Sequence, residues 1–204
     1  MVSRNVGEYR YPLGGKLYVF NKNENIGFIK GHMCSPAIAT QAEDLIAGGV
    51  KELIHVGYAG GLQPELVPGE IILTDGAFND TAVARLYGYD YDIIHSSKDL
   101  TNEIEEMITS AEILYKRGLH WTTDAGYRET WGQVMDYRDK GALCVEMEGV
   151  GLFTIANYRK CVATGIYVVS DVYLEDDWKL GWEGNDIKYS ESICIQAEKG
   201  KYEI

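Results

Sequence analysis

Cys144-Val-Glu-Met-Glu-Gly-Val-Gly-Leu-Phe153 is the stretch on which the reading of this chain turns. Cys144-Val145 is apolar and short, as a buried strand is, and residues 149–158 read as a helix. Two carboxylates, Glu146 and Glu148, flank Met147 at the junction. One reading is an exposed acid pair favoured by the positive end of the helix dipole. The other is a carboxylate in a cleft, placed to accept hydrogen bonds from two vicinal hydroxyls such as those of a ribose. Two carboxylates sharing a cleft would also raise one another's pKa.

Outward from this junction, strands alternate with helices. Residues 166–169 form a continuous apolar strand that closes on Ser170-Asp171, where an acid can serve as a turn cap or as a general acid. His120-Trp-Thr122 and Ile71-Ile-Leu73 read as further strands. Leu53-Ile-His-Val56 is another, and it runs into Gly57-Tyr-Ala-Gly-Gly61, a glycine turn whose amides could approach an anion or a sugar. Lys16–Phe20 and residues 26–30 pair across the polar turn 21–25.

Helix signals punctuate these strands. Ser35-Pro36 reads as a helix cap and first turn, Ile38, Ala42, Leu45 and Ile46 repeat at helical spacing, and Gly48-Gly49 stops the run. Leu100, Ile104, Met107, Ile108, Ala111 and Leu114 mark a second helix, and residues 186–199 a last one. The alternation predicts an α/β fold with a largely parallel, covered sheet. Ligands in such sheets bind beyond the carboxyl ends of strands, here after Val56, Val145 and Val169.

Composition narrows the function. The 204 residues fit one domain, 1–204, without repeat or linker. The net charge of −12 argues against nucleic acid or an anionic membrane as partner, while leaving room for a small anion in a local pocket. There is no apolar run of membrane-spanning length and no leader-like start, so a cytoplasmic location is expected. Cys34, Cys144, Cys161 and Cys194 are scattered and read as reduced thiols, with no metal site.

Val145-Glu-Met-Glu-Gly149 together with Val168-Val-Ser-Asp171 resembles the signature of the nucleoside phosphorylase family, which includes uridine phosphorylase and hexameric purine nucleoside phosphorylase. Gly31-His-Met-Cys-Ser-Pro36, His55-Val-Gly-Tyr-Ala-Gly-Gly-Leu62, Val67-Pro-Gly-Glu-Ile-Ile72 and Trp121-Thr-Thr-Asp-Ala-Gly-Tyr-Arg-Glu-Thr130 match further family segments in order. The resemblance implies a three-layer phosphorylase/hydrolase-like fold, with a central mixed β-sheet flanked by helices. It also implies cleavage of a nucleoside N-glycosidic bond by phosphate, without metal or organic cofactor, in a homo-oligomer.

By the same resemblance, Glu148 binds the ribose hydroxyls, Glu146 orients them, Met147 packs on the sugar, and Asp171 protonates or hydrogen-bonds a purine at N7. Tyr127 covers the base, Gly60 and Ser170 line the substrate site, and Gly31, His55 and Tyr58 hold the phosphate. The covering loop Gly126-Tyr-Arg-Glu-Thr130 lacks the Gln-x-Arg pair of uridine phosphorylases, which favours a purine. Arg128 is expected to pair with Glu129 or another surface acid rather than with substrate.

The phosphate site departs from the family pattern. Family phosphorylases carry Arg where this chain has His55, and Ser or Thr where it has Tyr58. Their Gly-Asp-Pro loop is absent before Lys16, which reads as a shortened N-terminus, and no Arg follows Arg159 to assist Asp171. A permanently charged guanidinium fork is thus replaced by an imidazole that is mostly neutral at pH 7. Phosphorolysis is expected; a nucleosidase using water, a uridine phosphorylase and a non-catalytic nucleoside-binding homologue are the alternatives.

Overall fold

The computed structural model describes residues 6–10, 16–20, 23–174 and 178–181. Strands β1 (Val6–Arg10), β2 (Lys16–Phe20) and β3 (Asn23–Ile29) form a small antiparallel sheet. The main sheet holds β4 (Glu52–Gly61), β5 (Ile71–Asp80), β6 (Ile93–His95), β7 (Tyr115–Thr123), β8 (Cys144–Glu146), β9 (Val162–Tyr173) and β10 (Trp178–Leu180). Its order is β10-β9-β4-β8-β7-β5-β6. Helices α1 (Ser35–Ala47), α2 (Val83–Leu86), α3 (Lys98–Ser110), α4 (Trp131–Asp139) and α5 (Gly149–Arg159) pack around it. The fold is a single-domain α/β structure with a mixed sheet flanked by helices.

The sheet is less parallel than its alternating pattern predicts. β4 runs parallel to β9, and β7 parallel to β5 and β8, yet β8 is antiparallel to β4 and β5 antiparallel to β9. The pairing of Ile71–Leu73 with Ile166–Val168 joins the two groups, so β9, β4, β8, β7 and β5 close on one another as a barrel. Closure leaves these strands apolar on both faces, which is why they mimic parallel strands in sequence.

Alternation along the strands sorts the core. Ile71 and Leu73 of β5, with Ile166 and Val168 of β9, pack on Leu100, Ile104 and Ile108 of α3. The intervening Ile72, Tyr167 and Val169 pack with Ala59 and Cys144. A third cluster joins α1, α2 and α5 through Ile38, Ala42, Val83, Val150, Phe153 and Ile155. Each such aliphatic side chain contributes roughly 1.5–3 kcal/mol on burial. Leu114, counted above with the helical stripe, lies beyond the end of α3 and is 91% exposed.

Three local expectations are revised. β4 continues through the whole of Gly57–Gly61, so Val56 does not end a strand and the glycines form no turn. Ser35 is the first residue of α1 rather than its cap; Cys34 caps it with φ 71°, and the Ser35 hydroxyl donates to Met147 O at 3.1 Å. The helix expected at 186–199 lies outside the described residues, as does Cys194. The helix over 131–139 has a legible start, the capping box of Thr130 and Gln133.

The heads of α1 and α5 meet without a spacer. A methyl group on Gly151 would lie 2.5 Å from Ser35 O and 2.8 Å from Ser35 Cα, so that glycine is required by close approach. Gly151→Ala should therefore cost roughly 2–3 kcal/mol by overpacking, read as a lower urea midpoint at unchanged slope. Gly132→Ala, whose methyl would meet nothing nearer than Thr130 Oγ1 at 4.0 Å, is the control. It should stabilise α4 by about 0.5–1 kcal/mol, and equal midpoints for the two variants would contradict the packing described.

Candidate functional site

Glu146 ends β8 with its carboxylate buried, 5% exposed, beneath the head of α5. It accepts the backbone N–H of Glu148 at 2.7 Å and that of Gly149 at 2.8 and 3.0 Å on its two oxygens. The next amide, Val150 N–H, donates to Thr122 Oγ1 at 3.2 Å. Three of the donors at the head of the helix are thereby satisfied from the sheet. Glu148 holds the cap position of α5, but its side chain makes no cap hydrogen bond. It is free to turn elsewhere.

It turns toward α1. Cys34 N–H donates to Glu148 Oε1 at 2.7 Å, and Ser35 Oγ holds the carbonyl of Met147. The carboxylate segment is thus fastened to β8 at one end and to the head of α1 at the other.

Electrostatics separate the two acids. Burial alone would raise the Glu146 carboxyl, but the charge and hydrogen bond of His120, then His55 and the Thr122 hydroxyl, outweigh it and hold it at about 2. Glu148 is pushed up to about 7, first by burial and then by the ionised Glu146, against the stabilising N–H groups of Cys34 and Met147. The expectation of mutual elevation is corrected: one acid rises because the other has been fixed in its charged form.

At the other end lies Asp171, 6% exposed near the end of β9, with the Ser170 hydroxyl donating to its Oδ1 at 2.5 Å. Gly60 lies opposite on β4: a methyl there would be 3.3 Å from Asp171 Oδ2, 3.4 Å from Val145 Cγ1 and 2.9 Å from the Tyr173 ring. Tyr173 OH donates to Glu129 Oε2 at 2.8 Å. Glu129 borders Gly126, where a methyl would be 3.4 Å from Glu129 Oε1 and 3.9 Å from Met147 Sδ. Burial raises the Glu129 carboxyl and Asp171 raises it further, against the Tyr173 hydrogen bond.

Gly126 thus lies between Glu129 and Met147, and Gly60 between Tyr173 and Asp171, with Tyr173 bonded to Glu129 and Ser170 to Asp171. Glu129, Tyr173, Cys34, Ser35, Thr122 and His120 take part in these contacts without having been anticipated from sequence. Nothing in a lone loop glutamate distinguishes it, and the contact of Cys34 is a backbone one. Glu129 is bonded to Tyr173 rather than to Arg128, whose side chain is exposed. Tyr127 is fully exposed on its 3-10 turn (Gly126–Arg128) and covers nothing among the described residues.

The residues expected to hold phosphate are not brought together. His55 and Tyr58 stand on opposite faces of β4 by alternation, and His55 turns toward Tyr167, its Nδ1 3.4 Å from the hydroxyl. Burial, assisted by His120, lowers the His55 pKa against the pull of Glu146, so the ring is neutral at pH 7. Gly31 is exposed before α1, 3.5 Å from Ile38 Cδ1 when given a methyl. Among the described residues no cluster of three or more His, Cys, Asp or Glu could hold a metal ion. A cavity of about 390 Å³ near the end of β5, lined by Asn79, Asp80, Asp92 and Asp124 among others, includes none of the expected site residues.

The sequence that folds in this way matches a known family. The model of the phosphorylase superfamily matches residues 4–191. The chain belongs to the phosphorylase superfamily. Among curated relatives of this superfamily member, a purine nucleoside phosphorylase DeoD-type of Exiguobacterium sibiricum is 32% identical over 139 residues, covering 67% of this chain and 59% of the relative. One from Bacillus cytotoxicus is 31% identical over 138 residues with the same coverage. Another, from Caldanaerobacter subterraneus subsp. tengcongensis, is 33% identical over 156 residues, 71% of this chain and 67% of the relative. The chain thus spans 59% of the length of the first of these relatives. No helix among the described residues is long and apolar enough to cross a membrane.

A carboxyl raised to about 7 in the folded state binds more protons there than in the unfolded chain between about pH 4.5 and 7, so stability falls as pH rises through that window. Glu148→Gln removes the charge and keeps an acceptor for Cys34 N–H. At pH 8 it should be more stable than the parent by on the order of 1–3 kcal/mol, a gain of a few degrees in Tm. The difference should vanish below pH 4.5, where both side chains are neutral. A variant less stable than the parent at pH 8 would show that Glu148 is not held against its charge.

Proposed function

We propose that this chain cleaves the N-glycosidic bond of a purine nucleoside, transferring the ribosyl group to phosphate and releasing the free base and ribose 1-phosphate. The observation that carries this reading is Glu148. The cap of its own helix is supplied by Glu146, so its own buried carboxyl is left to the Cys34 amide and is held at about 7 at a strand–helix junction. The names of the relatives support the purine and the phosphate.

The roles follow the chemistry. Glu148 accepts hydrogen bonds from the 2′- and 3′-hydroxyls and lends negative charge to an oxocarbenium-like ribose. Met147 packs against the sugar, and Glu146 orients both. A phosphate oxygen attacks C1′ as the C1′–N9 bond breaks. The electron pair passes into the purine, and Asp171 supplies a proton or hydrogen bond at N7 with Ser170 holding its other oxygen. Tyr127 closes over the base and Gly60 lets it approach. The reaction uses no metal or organic cofactor. The same reading places the protein in the cytoplasm as a homo-oligomer, with neither nucleic acid nor membrane as partner.

A second reading, a nucleosidase with water as acceptor, is favoured by His55. That ring is neutral and engaged with Tyr167, and no guanidinium stands in its place.

Base release from inosine, adenosine, guanosine and uridine, with and without phosphate, decides between them. Release that requires phosphate and yields ribose 1-phosphate supports the first; release in its absence supports the second. No release from any nucleoside would overturn both. For the active substrate, kcat/KM should fall on the acid side with a midpoint near pH 7, as Glu148 takes up its proton. Asp171→Asn should lower kcat by about 10²–10⁴-fold with a purine substrate, and an unchanged kcat would remove Asp171 from the mechanism.

A further inference from the structure

His120 lies wholly buried inside the barrel, among five elements. Its Nδ1 is 2.6 Å from Thr74 Oγ1 on β5, and its Nε2 is 3.0 Å from Glu146 Oε1 on β8. The tilted ring of Tyr167 of β9 lies 4.8 Å away between centroids and the edge-on ring of Phe153 of α5 6.1 Å away, while Thr122 Oγ1 of its own strand is 3.4 Å from Nε2. Glu146 is ionised, since it accepts two backbone amides and the Thr122 hydroxyl. An acceptor so placed requires a donor, so Nε2 carries a proton and gives it to Glu146.

The ring also touches the helix directly. A methyl on Gly149 would lie 2.5 Å from His120 Nε2 and 3.1 Å from Glu146 Oε1, so glycine is needed there to admit both. His120 therefore presses against the turn whose amides Glu146 holds, one residue from Glu148.

We propose that His120 is a positioning residue for Glu148: through Glu146 it fixes the turn at the head of α5 on which Glu148 stands. It touches no substrate. Its Nε2–H sets the direction of the Glu146 carboxylate, and that carboxylate sets the amides of Glu148 and Gly149. The consequence for turnover rests on the nucleoside reading above; the consequence for the amides does not.

Two substitutions separate this role from packing. Gln places its amide nitrogen close to the ring's Nε2, whereas Asn places it close to Nδ1. Both lose the ring's contacts with Tyr167 and Phe153, so both should lower Tm similarly. His120→Gln keeps the donor to Glu146; His120→Asn does not. Amide hydrogen exchange at Glu148 and Gly149 in the full chain should quicken about tenfold or more in His120→Asn and stay within about threefold of the parent in His120→Gln. With the nucleoside that the parent cleaves, kcat/KM should follow the same order, about tenfold lower or worse for Asn and near the parent for Gln.

Equal exchange rates in the two variants overturn the proposal, as does equal loss of kcat/KM in both. A parent protein that cleaves no nucleoside overturns the functional reading, while exchange at the two amides still decides the role of His120.

Discussion

The structure depends on one buried carboxylate. Glu146 stands where β8 ends and α5 begins, and two amides of the helix's first turn rest on it. An ionised group at that depth is costly unless its lone pairs are filled by donors. Here the donors come from three segments: β7 gives Thr122 and His120, and the β8–α5 turn and the first residue of α5 give their amides. Because β7 and the head of α5 converge on it, the carboxylate depends on the pairing of β7 with β8. If β7 and β8 were to slip by one residue, Thr122 and Glu146 would no longer be partners in register, and the clamp would be lost.

Two acids two residues apart have been given opposite tasks. Glu146 is surrounded by donors and is spent on architecture. Glu148 is favoured in its charged form only by the amides of Cys34 and Met147, and burial and its neighbour's charge outweigh them. The fold thus maintains a carboxyl that would be more stable without its charge, an arrangement found where a group is kept ready for a ligand rather than for packing. The left-handed backbone of Cys34 belongs to the same arrangement, since φ 71° at a non-glycine residue is strained and it points that N–H at Glu148.

Much of this was legible in the chain, in proportion to how local each signal was. The strand–acid–helix junction at 144–153, the start of α1 near Ser35-Pro36 and the apolar strand before Ser170-Asp171 all rest on neighbours in sequence, and all stand where expected. Barrel closure was not legible, because an antiparallel β5–β9 pairing and a parallel one bury the same residues. Nor was the extension of β4 through Gly57–Gly61: glycines suggest a turn, yet here they give room to Asp171 and Tyr173 from the strand beside them. Glu129 could not be told from any surface acid, since its partner Tyr173 is 44 residues away. In sequence His120 reads only as part of a strand; its link to Glu146 is a fact of tertiary structure.

The charge of the cleft bears on the acceptor. Glu148, Glu129 and Asp171 bring negative charge to its length, which suits a cationic ribosyl group and opposes an anion. The head of α1 is the natural place for phosphate to bind, through amides and dipole together. Its Cys34 N–H is already held by Glu148, however, and Pro36 has no N–H to offer. Phosphate and the Glu148 carboxylate would therefore draw on the same positive end, with a neutral His55 adding nothing to it. An acceptor without charge would meet no such competition, and that is the electrostatic argument for the nucleosidase reading.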